Sequence, residues 1–91
     1  MGMMRLAITV VGDGLHPEEA VVSVRTRDGD AKLAVDREAL SGTTLGIGYP
    51  VDKEGDFYLV QLPRESFGGT WRVWVPEGDV TPDEVRSKVY A

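Results

Sequence analysis

Residues 20–36 read AVVSVRTRDGDAKLAVD, and this stretch decides the fold. Val22 and Val24 alternate with polar neighbours before the Asp28-Gly29 pair, and Ala31, Leu33 and Val35 do so after it. A period of two is the mark of a strand with one buried face. Asp-Gly between two such runs predicts a tight hairpin. A type I′ turn needs positive φ, which Gly adopts without a Cβ penalty. Ser23, Arg25, Arg27 and Lys32 fall on the opposite, polar face. DREALSG then predicts a short helical turn, with Asp36 as its cap and Gly42 as its stop.

Working outward, residues 4–11 (MRLAITVV) alternate as a half-buried strand that GDG at 12–14 breaks. LHPEEA has room for one helical turn, with Pro17 at its first position. Residues 43–56 (TTLGIGYPVDKEGD) are rich in Gly and read mostly as loop, with Leu45 and Ile47 as a short strand. FYLVQL at 57–62 is apolar on both faces and predicts a central strand. PRESFGG turns the chain. TWRVWV at 70–75 is the last strong strand, and Pro76 ends it. Alternation puts Trp71 with Val73 and Val75 on the core side, and Trp74 with Thr70 and Arg72 on the other. Residues 81–90 read as a helix, with Thr81 as N-cap, Pro82 at its first position and Glu84 completing a capping box. Such a short helix must pack on the sheet, and Trp74 is one seat for it.

The chain of 91 residues fits a single domain spanning 1–91. The expected class is mainly β, between all-β and α+β. Its expected form is a small SH3-like barrel or a strongly curved antiparallel sheet of 5–6 strands with one C-terminal helix. There is no Cys, so disulfides and thiolate metal sites are absent. The opening residues lack a cleavage site and a membrane-length apolar run, so a cytoplasmic protein is expected.

A faint internal repeat runs through the strands. From Gly29 the chain reads GDAKLAVDREALS, and from Gly69 it reads GTWRVWVPEGDVT. Gly and Val recur at two positions, and Lys/Arg, Leu/Val and Ser/Thr correspond at others. Upstream, Val22 and Val24 match Val60 and Leu62 if the second loop is longer.

Motifs for chemistry are sparse. His16 is the single histidine and stands beside Pro17, without the oriented partners that a triad or a metal site needs. GDG and GIG satisfy neither the dinucleotide nor the P-loop pattern. Asp52, Glu54 and Asp56 imitate a calcium loop, but its glycine is misplaced and Pro63 stands where the bidentate Glu belongs. No catalytic residue, cofactor site or metal site is therefore assigned. Nothing in the residues argues for an enzyme beyond an aromatic set, Tyr49, Tyr58 and Trp74, that could line a pocket.

Charge is more informative. The fifteen Asp and Glu all fall outside the five strands read at 4–11, 21–27, 31–35, 57–62 and 70–75, whereas Arg5, Arg25, Arg27, Lys32 and Arg72 fall inside them. This gives an acidic rim, which would select a basic partner, around a basic sheet. Arg25, Arg27, Lys32, Arg72 and Trp74 form the candidate binding face. The expected function is a small non-enzymatic binding, adaptor or inhibitor module acting through a protein partner, with no membrane contact.

VSVRTRDGDAKLAVDREAL also resembles the swapped-hairpin, AbrB-like regulators and antitoxins. In those, strand, Gly turn and strand end in a Val/Ile-Pro step before a short helical exit. Asp36 departs from that Pro here, while Val75-Pro76 keeps it. The resemblance implies a dimeric, nucleic-acid-linked regulator with Arg25, Arg27 and Lys32 on phosphates. The net charge of −5 opposes that reading.

Overall fold

The structure is a computed structural model describing residues 4–82. It is mainly β, with 59% of these residues in strands. The strands are β1 (Met4–Ala7), β2 (Thr9–Asp13), β3 (Glu19–Thr26), β4 (Gly29–Asp36), β5 (Leu40–Ser41), β6 (Thr44–Ile47), β7 (Asp52–Glu54), β8 (Phe57–Gln61), β9 (Arg72–Pro76) and β10 (Val80–Pro82). They form three antiparallel sheets, ordered β10-β1-β6-β5, β2-β3-β4 and β7-β8-β9, and not a closed barrel, one of the two expected forms. Thr81 and Pro82 are strand residues of β10 that pair with Arg5 and Met4, so they do not open a helix. The rest of the expected 81–90 helix lies outside the described residues.

The sequence repeat is a repeat of structure. β3 and β4 pair Glu19 with Asp36, Ala20 with Val35 and Val22 with Leu33. β8 and β9 pair Phe57 with Pro76, Tyr58 with Val75 and Val60 with Val73, position for position the same register. Gly29 and Gly69 both have positive φ, at 110° and 91°. Each hairpin leaves through a 3-10 turn, Arg37–Ala39 or Glu77–Asp79. The residues before these turns, Asp36 and Pro76, share nearly one conformation (φ −66°, ψ 138° and φ −58°, ψ 138°). After the turns, Leu40 and Val80 return N–H bonds to Arg37 and Glu77. Asp36 makes no side-chain cap bond, and Gly42 (φ 61°) turns β5 into β6 instead of stopping the helical turn.

The units are tied by exchanged strands. β1 of the first unit lies between β10 and β6 of the second, and β6 lies between β1 and β5 of the first. The pairs again correspond: Leu6 faces Val80, and Leu45 faces Leu40. Leu6 and Leu45 face each other across the middle of this sheet. The hairpin tips also reach across. The Arg27 N–H donates to the Trp74 carbonyl at 2.9 Å, and the Phe67 N–H donates to the Lys32 carbonyl at 2.8 Å. One hydrophobic core results, drawn from both units: Leu6, Val22, Val24, Leu33 and Val35 with Leu45, Val60, Leu62 and Val75.

Residues 43–56, expected as mostly loop, contain β6 and also β7. β7 is an edge strand whose Asp52, Lys53 and Glu54 are all exposed. Charged, short edges resist pairing with other chains. In LHPEEA, residues 15–18 form a turn with no helix, and Glu19 and Ala20 already belong to β3. β8 is the middle strand of its sheet, but only Val60 in it is buried, while Phe57, Tyr58 and Leu59 are half-buried.

Gly29 has φ 110° and open space where a Cβ would stand. Substitution there is opposed by backbone strain alone. Gly29→Val is expected to destabilise by about 1 kcal/mol or more, measured by urea unfolding. Wild-type stability in that variant would contradict the turn conformation.

Candidate functional site

The five candidate residues do not form one face. Arg25 stands on the outer face of β3, but its guanidinium donates to both carboxylate oxygens of Asp79, at 2.9 and 3.3 Å. Arg27 follows the end of β3. It pairs with Glu54 at 2.7 Å and lies over the rings of Trp74 and Phe57, at 4.9 and 5.6 Å from their centroids. Both arginines therefore clamp the first hairpin to the second unit. Trp74 is on the face alternation assigned to it, and Arg27 covers part of it; its backbone carbonyl holds the hairpin tip.

Lys32 and Arg72 are different. They occupy corresponding positions in the two units, on the outer faces of β4 and β9. Both are exposed, and neither has a carboxylate within ion-pair distance among the described residues. Arg72 donates to the side-chain oxygen of Gln61 at 3.2 Å. The two cations line one open groove of about 450 Å³ between the hairpins. Asp28 and Asp30 from the first hairpin tip, Phe67 from the loop before β9, and Trp74 share that lining.

Phe67 was not legible as a site residue. It sits in the 62–71 loop, and the loop has its own internal bracing. Ser66 is buried, and its hydroxyl bonds the Thr70 hydroxyl at 2.6 Å and accepts from the Thr70 N–H at 3.1 Å. The Ser66 N–H donates to the Thr70 carbonyl, and the Gly69 N–H donates to the Ser66 carbonyl. This knot presents Phe67 at 67% exposure. An aromatic between Ser66 and a Gly-Gly pair, with no strand to bury it, is the signal in the sequence.

Trp71 corrects a reading. It was expected in the core and is 50% exposed. The assigned ladder of β9 begins at Arg72. Trp71 stands in the bend before it, past the last core layer of Leu62 and Val73, and only its carbonyl is engaged, by the Leu62 N–H.

The acidic rim is also revised. Asp13, Glu19, Asp36 and Glu54 are strand residues that face cations: Arg37 meets Asp13, Arg64 meets Glu19 and Asp36, and Arg27 meets Glu54. The hydrogen bond from Arg64 holds the Glu19 carboxyl below its ordinary range. Gly14 packs so closely on Glu19 that a Cβ would stand 2.5 Å from that side chain, so GDG serves a close approach.

His16 is exposed in the turn before β3, where its carbonyl accepts from the Glu19 N–H. A second recess, lined by Leu15, His16, Val21, Ala34, Arg64 and Phe67, lies on the outer face of the first hairpin. Tyr49 and Tyr58 line a third, away from Trp74, so the expected aromatic set is not brought together. Among the described residues no cluster of three His, Asp or Glu side chains could hold a metal. No helix among them is long and apolar enough to cross a membrane.

Compared with known protein families, curated proteins and solved structures, the chain matches none.

Proposed function

We propose that the protein is a non-enzymatic binding module that holds an extended segment of a protein partner in the groove between its two hairpins. The observation that carries this is Phe67, an exposed aromatic held at the groove by an internally braced loop. Exposed aromatics around a depression are the usual anchors of protein recognition. A braced loop loses little conformational freedom on binding, which favours affinity. Trp74, half-buried under Arg27 in the same lining, adds a second ring. The reading of a nucleic-acid-linked regulator draws on the strand exchange between units, which suits a swapped-hairpin character. It needs Arg25 and Arg27 on phosphates, and both already have carboxylate partners.

The test is capture of the partner from the native cell by the immobilised protein. Phe67→Ala is expected to abolish capture while thermal stability stays near wild type, because the ring is mostly solvated. Leu15→Ala, in the second recess only, is expected to leave capture intact. Loss with Leu15→Ala would move the site to that recess.

A further inference from the structure

The charges in this groove are sorted by sign, and that sorting names the chemistry of its occupant. Along β4 the outer face carries Asp30 and then Lys32, with Asp28 in the adjoining turn. The opposite wall is β9 with Arg72 and Trp74. The Arg27 N–H, next to Asp28, is fastened to Trp74, and Lys32 is fastened to Phe67. The carboxylates Asp28 and Asp30 therefore lie at the Trp74 end of the first hairpin, and Lys32 lies at the Phe67 end. None of Asp28, Asp30, Lys32 and Arg72 is in an ion pair among the described residues, whereas Arg25, Arg27, Arg37, Lys53 and Arg64 all are. Of the eight Lys and Arg among the described residues only Arg5, Lys32 and Arg72 are outside ion pairs, and Arg5 is half-buried against Thr44. The two exposed cations without a carboxylate thus both line this groove, as do Asp28 and Asp30.

Resting on the reading above, we propose that the groove takes an extended peptide segment bearing both signs of charge. A Lys or Arg of the segment meets Asp28 and Asp30, a Glu or Asp meets Lys32 and Arg72, and an apolar residue between them packs on Phe67 and Trp74. A uniform polyanion such as nucleic acid meets two carboxylates in the same groove. A uniformly basic segment meets two cations. Complementarity of both signs also fixes the direction in which the segment lies.

The test uses the full chain and four fluorescein-labelled peptides of equal length, followed by anisotropy. One is Lys-Leu-Glu in type, one all-acidic, one all-basic, and one has Gln in place of each charge. A labelled single-stranded DNA is the fifth probe. The mixed peptide is expected to bind roughly five- to tenfold tighter than any other probe, the scale of two partly exposed ion pairs. Lys32→Glu with Arg72→Glu is expected to shift the preference to the all-basic peptide, and Asp28→Lys with Asp30→Lys to the all-acidic one. Circular dichroism checks that each variant folds, and the milder Lys32→Gln with Arg72→Gln is expected to erase the preference for the mixed over the all-basic peptide. Equal binding of charged and neutral peptides, tighter binding of DNA, a preference that ignores these substitutions, or no peptide binding at all overturns the proposal. In any of these cases, loss of partner capture with Phe67→Ala, together with capture intact in Leu15→Ala, still upholds the groove as the docking site. Capture that survives Phe67→Ala removes both.

Discussion

Leu45→Ala is expected to cost about 2–5 kcal/mol, the range for deleting a fully buried Leu without collapse of its site. Leu45 has no exposed surface and lies on β6, in register with Leu6 on one side and Leu40 on the other. It thus touches the strand exchange itself, where the two units meet. A domain of this size has about 5–15 kcal/mol of total stability, so the variant stands near the edge of folding at room temperature. Each 1 kcal/mol shifts the melting temperature of such a domain by about 4–8 °C. Urea unfolding measures the loss. Leu6→Ala, at the corresponding place in the first unit, is expected to behave alike. A cost below about 1 kcal/mol in both would show that the exchanged sheet contributes little to stability.

The first hairpin was legible because one physical signal repeats through it. Alternation of Val22, Val24, Leu33 and Val35 fixes a buried face, and Asp28-Gly29 marks the turn. Those residues lie in the core, and Gly29 has the expected positive φ. The expected type I′ turn at Asp28-Gly29 is not formed, however. Gly29 pairs with Thr26 as the first residue of β4, the turn residues are Arg27 and Asp28, and neither has positive φ. β5, β7 and β10 were not legible, for a different reason. Each is two or three residues long, and Asp52, Lys53 and Glu54 carry no apolar signal at all. Their strand character comes from partners elsewhere in the chain. The barrel expectation failed on the same point, since only long-range pairing shows that β1 inserts between strands of the second unit.

The placement of the candidate residues was legible in part. Lys32, Arg72 and Trp74 share a groove, as their shared polar face suggested. Arg25 and Arg27 carry the same signal in sequence and a different role in the fold. Their partners Asp79 and Glu54 are distant in the chain, and only tertiary structure brings them close. Trp71 was misread because alternation says which way a residue points and not whether the core extends that far.

Cutting the chain between Gly42 and Thr43 is expected to produce two fragments that fold only together. The cut falls in the exposed turn between β5 and β6, where it removes no core residue. Alone, residues 1–42 keep the β2-β3-β4 hairpins, but β1 loses both of its neighbours and β5 loses its only one. Residues 43–91 lose the neighbour of β10, and β6 loses both of its own. Each fragment would expose half of a shared core, and a chain this short has little margin to fold around what remains. Circular dichroism of either fragment should therefore show no cooperative unfolding. Mixing them should restore the sheet signal and a single, concentration-dependent transition, because folding is now coupled to association. The product should be a one-to-one heterodimer. The internal repeat also permits a competing homodimer, in which β1 pairs with a second β1. The heterodimer should win, since Arg25–Asp79, Arg27–Glu54, Arg64–Glu19 and the Arg27–Trp74 stack each need one partner from each unit. Analytical ultracentrifugation separates the outcomes. If residues 1–42 fold as a stable monomer, the exchanged strands only join two independent sheets, and the groove between the hairpins loses the rigid frame that the binding proposals require.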